Sequence, residues 1–572
     1  MVFLFKKKSR GKWYYYIGAN KKIHGKSVRA WEIYLGPVEK ILAMVQQAKD
    51  GVMIREVKVF EFGAIAALLD LCERLHLRQL ANRYTAKNRE QGLDVGTYLT
   101  VLVLNRCVEP RSKRQLASWY KHTFLRRHLG LPLTALTSQR FWDHMGYFTP
   151  EALERLGKAL IQELIEAFDV RLDCLLYDPT NFATYLTHHP NRGNQLPQWG
   201  YSKQKRFDLL QVNLALLVTR QDGLPLLHQV YRGNTNDSTE FKVIIGQLID
   251  RYQEFQLACQ DLTLIFDKGN NSQAGIKELE TSSYHFIGSL RPSTQQDLLA
   301  LPLEQYEETW MDEQRRVSQA HRLRKKVYGV ERTVVVSYHE SSARAAKKTL
   351  EAHLCKAEEK LQAIQAKIGQ RGYKTPEALE KKAQAMVAKK RIKGLLTITI
   401  TGPDSAAAGQ APSLAWQRQT EAIEKREQAF GKSVLFTDQE GWSTKEIVEA
   451  YRSQWRIERD FRELKDPSYI RATPIYHWTD AQIRAHFFIC VLALLLLRLL
   501  HRQVRQAGLD WSLERIMEAL KGIKEVVITT AGWPRVQYKL TKLSRDQKQL
   551  YTTLQLNRYS KEPPAGPKEG SP

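Results

Sequence analysis

The spacing of hydrophobic positions changes character several times along the chain. Residues 13–17 and 28–34 are β-prone runs separated by Gly, Asn and Lys, which predicts a small hairpin. From about 60 to 168 the apolar-rich segments are 64–75, 99–104, 115–124 and 150–168, the longer ones with apolar positions every three or four residues, and they predict helices. At 169 the pattern turns to strands. Residues 172–177, 209–219 and 224–232 are apolar runs, the last two flanking the turn Gln221-Asp222-Gly223. A helix over about 238–256, a strand at 262–266, a helix near 272–281 and a strand at 285–290 complete this block.

Residues 292–430 interrupt it. Leu350, Leu354, Ala357, Leu361, Ile364 and Ile368 step by four and three in a short heptad seam. Thr375-Pro376 reads as an N-cap followed by proline at the first helical position, and Leu379, Ala383, Met386 and Val387 give the second helix an apolar face. The expected result is a helical hairpin over 350–390, then a strand at 395–401 and a linker at 403–412. The hairpin is a candidate interface between copies, or packs within one chain. A capping box, Ser443-x-x-Glu446, opens a helix expected to run through Lys465. The most apolar stretch, 487–497, is too short to span a bilayer and predicts a buried core helix. The tail 562–572 is rich in Pro, Gly, Ser and Lys, as unstructured tails are. The resulting segments are a basic β-rich module (1–58), a helical region (59–168), a first strand-rich α/β part (169–291), an insertion (292–430), a second part that resumes it (431–503) and a C-terminal α/β segment with its tail (504–572).

Charge narrows the partner. The 572 residues hold 87 Lys+Arg against 61 Asp+Glu, a formal net charge of +26, with 43% hydrophobic and 10% aromatic residues. That composition excludes a disordered or fibrous chain and favours a polyanion as partner, because each neutralised phosphate releases counterions. Residues 1–30 carry nine basic side chains and no acid, beside Trp13 and Tyr14–Tyr16. Basic residues Arg111, Lys113, Arg114, Lys121, Arg126 and Arg127 lie among the predicted helices, as in a helix-turn-helix reader or a plain packing domain. Six scattered cysteines with no Cys-x-x-Cys pair argue against a disulfide framework or structural zinc and fit a reducing cytoplasm. The N-terminal order, apolar then Lys6-Lys7-Lys8, is the reverse of a signal peptide, and no membrane role is expected.

Candidate chemistry begins with two aspartates, each following a buried-type strand: Leu175-Leu176-Tyr177-Asp178 and Leu264-Ile265-Phe266-Asp267. Carboxylates on neighbouring strands of one sheet can share hard cations, as phosphodiester cleavage by paired Mg²⁺ requires. Taken singly, an Asp after a strand is more often a turn or cap residue. Tyr451, Glu458 and Lys465 follow one another at seven-residue intervals, so a continuous helix places them on one face. Asp208 and Asp237 are rival acids read as structural. Asp460 and Glu463 fall off the Tyr–Glu–Lys face and are expected to be solvated. His188 and His189 are a weak candidate pair.

These segments resemble the DDE transposases of bacterial insertion sequences, in the group marked by the Y-R-E-K signature (the IS-four-like group). Tyr451, Glu458 and Lys465 fall on its pattern, whereas the signature arginine position holds Gln454, leaving Arg452 and Arg456 as neighbouring candidates for that phosphate contact. Asp178-Pro179-Thr180-Asn181-Phe182, Gly200-Tyr201-Ser202-Lys203 through Arg206, Asp208 and Gln211, Gly233-Asn234-x-x-Asp237 and Phe266-Asp267-Lys268-Gly269 resemble further blocks of the group. The likeness covers about 170–290 and 430–500, and a long insertion before the glutamate is typical of it.

The resemblance implies an α/β architecture: an RNase H-like catalytic domain interrupted by a long insertion, with N-terminal β and helical DNA-binding modules. It implies that Asp178, Asp267 and Glu458 ligate two Mg²⁺ or Mn²⁺ ions, and that Tyr451 and Lys465 grip phosphates. Trp455 would stack on an unpaired base near the element end, or serve as a core aromatic. The implied partners are double-stranded element ends and target DNA, handled by a homodimer. Two other readings remain open from the residues: a catalytically silent, transposase-derived DNA-binding regulator, and an RNase H-like nuclease or resolvase.

Overall fold

Nine strands, numbered in chain order, form one mixed sheet: β1 Cys174–Ala183, β2 Gln211–Thr219, β3 Pro225–Arg232, β4 Thr263–Phe266, β5 His285–Ser289, β6 Glu308–Met311, β7 Val317–Val327, β8 Val330–His339 and β9 Lys432–Thr437. Their spatial order is β6-β7-β8-β9-β5-β4-β1-β2-β3. β1, β4 and β5 run parallel, and every other neighbouring pair is antiparallel. The computed structural model describes residues 2–9, 11–23, 26–49, 54–85, 92–186, 194–254, 261–271, 273–311, 316–402, 412–530 and 536–560. The histidines 188 and 189, the tail 562–572 and all but the last residue of the linker 403–412 lie outside the described residues.

The apolar runs of β1 and β2 are continuous because both faces of the sheet are covered. On one face Phe241, from the helix Asp237–Glu254, packs with ring centroids 4.9 Å from Tyr177 and 4.7 Å from Phe266. On the other, Phe487 of the helix Asp480–Gln506 lies 4.9 Å from Phe182. Tyr177 and Phe182 differ by an odd number of residues, so alternation points them to opposite faces. The helix Asp480–Gln506 is long and apolar enough to cross a membrane, but 94% of that stretch is buried inside the protein, as expected for a core helix. The order β3-β2-β1-β4-β5, an antiparallel meander continued by two parallel strands, is consistent with the expected RNase H-like fold.

Helices Gly63–Arg74, Val95–Val108, Leu116–Lys121 and Pro150–Phe168 appear where the spacing predicts them, Leu77–Tyr84 is a helix it did not single out, and all share one core with Asp480–Gln506. Of the basic residues singled out there, Arg127 is paired with buried Glu525, Arg111 with Glu109, and Lys113 is tucked against His477. The N-terminal hairpin is present as Lys12–Ile23 and Lys26–Gly36, with a third strand, Val2–Ser9, that the pattern did not announce. A strand at Ile54–Glu61 pairs with Lys524–Thr530 from the other end of the chain, so the boundary read at 58/59 cuts through a paired strand.

The insertion needs a correction. Its first part contributes β6, β7 and β8 to the central sheet, so the interruption proper begins at the helix Glu340–Gln365. These strands carry charged residues at alternate positions, as in Arg322, Arg324 and Lys326, which masked their β character. The helical hairpin forms from Glu340–Gln365 and Pro376–Val387, with Thr375 accepting from the Ala378 N–H as its cap. Leu350, Leu354, Ala357 and Leu361 are buried against Ala383, Val387 and the strands Leu396–Thr401 and Ser413–Arg418. The heptad seam is consumed within the chain.

Candidate active site

β4 ends at Phe266 while β1 continues for six more residues past the partner Tyr177, to Ala183. The last parallel pair is Tyr177↔Phe266, so Asp178 and Asp267 each take the next step along adjoining strands. Alternation turns both away from Phe241 and toward the face covered by the helices Trp455–Lys465 and Asp480–Gln506. Asp178 therefore stands inside a strand rather than at its end, because β1 keeps pairing with β2 from Asp178↔Leu216 through Ala183↔Gln211.

Asp267 is anchored from two sides. Its Oδ1 accepts from Ser289 Oγ at the end of β5 (3.0 Å) and from the Tyr451 hydroxyl (2.9 Å). Burial first, and then the Asp267 charge, raise the Tyr451 phenol well above its ordinary value. The expected single helix from 443 to 465 is two helices, Thr444–Arg452 and Trp455–Lys465, joined through Ser453 and Gln454. The Ser453 hydroxyl donates to the Ala450 carbonyl, and the Gln454 N–H bonds three residues back to Tyr451, which tightens the turn. The predicted capping box at Ser443 and Glu446 is formed.

The three signature residues still converge on the sheet. Glu458, in the first turn of the second helix, is close enough that its charge raises both the Asp178 carboxyl and the Tyr451 phenol. Lys465 Nζ donates to Thr180 Oγ1 (2.8 Å) and rides 4.9 Å above the Phe182 ring. Burial, then the neighbouring Lys203, lower the Lys465 ammonium to about 8. Asp178 is pushed up to about 7 by burial and by the charges of Asp267, Glu458 and Asp237, with Lys203 opposing.

Lys203 belongs to the site although its sequence position assigned it no role. Its Nζ donates to the Pro179 carbonyl, one residue past Asp178 (2.7 Å). The buried Asn181 amide holds the lysine's loop, donating to the Tyr201 carbonyl (2.7 Å) and accepting from the Lys203 N–H (3.2 Å). Gly200 allows this approach, since a Cβ there would stand 1.9 Å from the Gly233 carbonyl oxygen. The hint in the sequence was an Asn three residues after a strand carboxylate and a Gly-x-x-Lys loop.

The donor set tests the implied metal. Three carboxylates supply only hard oxygen ligands, and their mutual repulsion on a partly buried Asp178 is what a dication relieves, so their chemistry fits Mg²⁺. Among the described residues, however, no three acids, histidines or cysteines are already closed into a ligand cluster.

The candidate DNA contacts have protein partners. Arg452 bonds Ser318 Oγ and the Tyr338 carbonyl, and Arg456 bonds the Gln221 carbonyl (2.6 Å). Trp455 is 51% exposed, with the Arg456 guanidinium 5.2 Å above its ring. Tyr451, Arg452, Trp455 and Arg456 line one groove of about 1190 Å³, together with Arg220 and Arg316.

Asp208 is held by Arg206 (2.8 and 2.9 Å), and Asp237 accepts from the Tyr231 hydroxyl (2.8 Å). Asp460 and Glu463, expected in solvent, are instead buried. Arg498, from the long core helix, reaches Asp460 Oδ1 (2.5 Å) and Glu463 Oε2 (2.8 Å). The off-face side of a helix lying on a sheet faces the next helix, not water.

No curated protein matches the sequence. Among solved structures, the chain is similar to one from the cryo-EM structure of a piggyBac transposase synaptic complex with hairpin DNA, at 10% identity and a TM-score of 0.36, covering 80% of this chain and 78% of that one. The family described as "Transposase DDE domain" matches residues 171–496, more than half of the chain, from just before β1 into the long core helix. The protein belongs to the transposase DDE domain family.

Proposed function

We propose that the chain is an active DDE transposase of the bacterial insertion-sequence group with the Y-R-E-K signature, working in the cytoplasm on nucleoid DNA. It binds double-stranded terminal inverted repeats, cleaves the phosphodiester at the element end and passes the freed 3′-hydroxyl to target DNA. One observation carries the reading: Asp178 and Asp267 stand side by side on parallel strands with the Glu458 charge brought onto them, and burial, reinforced by that repulsion, pushes Asp178 up to about 7. Two Mg²⁺ or Mn²⁺ ions, when bound, supply activation of the attacking oxygen and stabilisation of the leaving one. Asp178, Asp267 and Glu458 would hold them. Lys465 and Tyr451 grip the phosphates, Trp455 presents its exposed ring to a base, and Arg452 and Arg456 replace the signature arginine lost at Gln454. Two copies act together, one on each end.

The test is strand cleavage of a duplex carrying the element's inverted repeat. Asp178→Asn and Glu458→Gln should each abolish cleavage in Mg²⁺ while end binding survives. Cleavage retained by either variant sinks the assignment.

A further inference from the structure

Three segments meet beside the acidic site and leave their aromatic rings in solvent. The end of β1 is bridged to the segment before the long helix at Thr184↔Ile475, and the Thr184 N–H donates to the Leu210 carbonyl. At this junction Tyr185 and Tyr476 lie with ring centroids 5.8 Å apart, 48% and 57% exposed. The loop from Trp199 to Phe207 adds Trp199 (59%), Tyr201 (76%) and Phe207 (60%). Scattered single apolar residues on a surface need no explanation, but five aromatic rings on three converging segments do.

The same loop is basic. Between Trp199 and Leu210 it holds Lys203, Lys205 and Arg206 against one acid, Asp208. Arg206 pairs with that acid and also reaches the Tyr185 hydroxyl (3.4 Å), its guanidinium 5.8 Å from the ring. Among the described residues Lys203 and Lys205 make no ion pair with an acid, and Lys203 spends its ammonium on the Pro179 carbonyl. The face therefore offers open aromatic rings and surplus positive charge together.

We propose that this face, built on Tyr185, Tyr476, Tyr201 and Phe207, binds an unpaired stretch of DNA strand through its bases. The inference rests on the DNA-handling role proposed above. A duplex presents phosphates and groove edges, which cations satisfy without rings. Aromatic side chains gain by stacking only where a base has an open face. Lys203 joins the two halves of the site: its loop starts the aromatic face, and its ammonium sits one residue from Asp178. A strand whose phosphate lies between Lys203 and Lys465 continues directly over the rings.

The experiment uses the full chain without divalent metal and fluorescence anisotropy with three labelled probes: a single-stranded oligodeoxynucleotide, the same length with abasic sites, and a blunt duplex of an element end. Tyr201→Ala/Phe207→Ala should weaken single-strand binding by about 10-fold or more for each ring removed, leaving the duplex unchanged. The abasic strand should bind the parent protein as weakly as the natural strand binds the variant. Tyr201→Phe/Phe207→Tyr, which keeps both rings, should bind like the parent, separating stacking from damage to the loop. Equal affinity of parent and alanine variant for the single strand overturns the proposal, as does an abasic strand that binds like the natural one. If the duplex end is bound, and is cleaved once Mg²⁺ is added, while the single strand is indifferent to these rings, only this inference falls. If neither probe is bound, the transposase reading falls with it.

Discussion

Replacing Asp178 by Asn should stabilise the metal-free protein while ending its chemistry. Burial and the charges of Asp267 and Glu458 raise this carboxyl from 3.8 to about 7. That rise costs the ionised form roughly 4 kcal/mol relative to the unfolded chain. Between those two pH values the folded state keeps a proton that the unfolded state has released. The stabilising contribution is thus full below pH 3.8 and is lost as pH rises through about 7. Asparagine has the same outline and no proton to lose. In chelator, urea unfolding should place Asp178→Asn level with the parent at pH 4. Its lead should grow through pH 6 and level off above pH 7, at about 2–4 kcal/mol once partial solvent screening is allowed for. Adding Mg²⁺ should then raise the parent selectively, since only its carboxylate set gains from the cation. A gap that does not change with pH, or Mg²⁺ raising both proteins equally, would refute the account of Asp178 as a carboxylate held under repulsion.

Three further outcomes follow from the same geometry. Arg498→Leu should cost about 3–5 kcal/mol in thermal or urea unfolding, because it strands Asp460 and Glu463 without their cation, and adding Asp460→Asn/Glu463→Gln should recover most of the loss. Lys113, 3.0 Å from His477 Nε2 and 4.2 Å from the Trp142 ring, has its ammonium lowered to about 7 by burial and then by Arg106. Its contribution to stability is present above pH 10.5 and lost as pH falls through about 7, so Lys113→Met should flatten the decline of melting temperature between pH 9 and pH 6. Gly200→Ala drives a Cβ to 1.9 Å from the Gly233 carbonyl and should lift the loop bearing Lys203, seen as a loss of at least about 10-fold in end-DNA cleavage with little change in melting temperature.

The sequence made the strand–helix order of the catalytic core readable because β1, β2 and β4 are buried on both faces and so appear as unbroken apolar runs. It was silent on β6 to β8, where partly exposed strands such as Val317–Val327 interleave Arg and Lys with Val and Leu. The acidic residues were legible one at a time, as a carboxylate following an apolar run. Their juxtaposition was not, since it depends on β4 stopping at Phe266 while β1 runs on, a register that only the folded sheet fixes. The heptad spacing of Tyr451, Glu458 and Lys465 led to the right convergence through a continuous helix that does not exist. A local Ser453 hydrogen bond breaks it, and tertiary contacts to Asp267 and Thr180 restore the common direction. Asp460 and Glu463 show the converse, because a helical wheel cannot say that its polar side faces Arg498 rather than water.

The cations nearest the acids are placed beside them without neutralising them. Lys203 gives its ammonium to a backbone carbonyl and Lys465 to a threonine hydroxyl, while Asp267 is bonded by two uncharged hydroxyls. Ion pairing inside the site would have lowered Asp178 and satisfied both lysines, leaving nothing for a ligand to complete. The arrangement keeps negative charge short of a cation on one side and positive charge short of an anion on the other, within a few residues of β1. A phosphodiester accompanied by its dications satisfies both at once. A lone metal or a lone anion satisfies half. The same logic makes Lys203 a better test of function than a basic residue on the outer surface. Its removal leaves the fold's ion pairs untouched and takes away one of the two ammonium groups placed beside the acids.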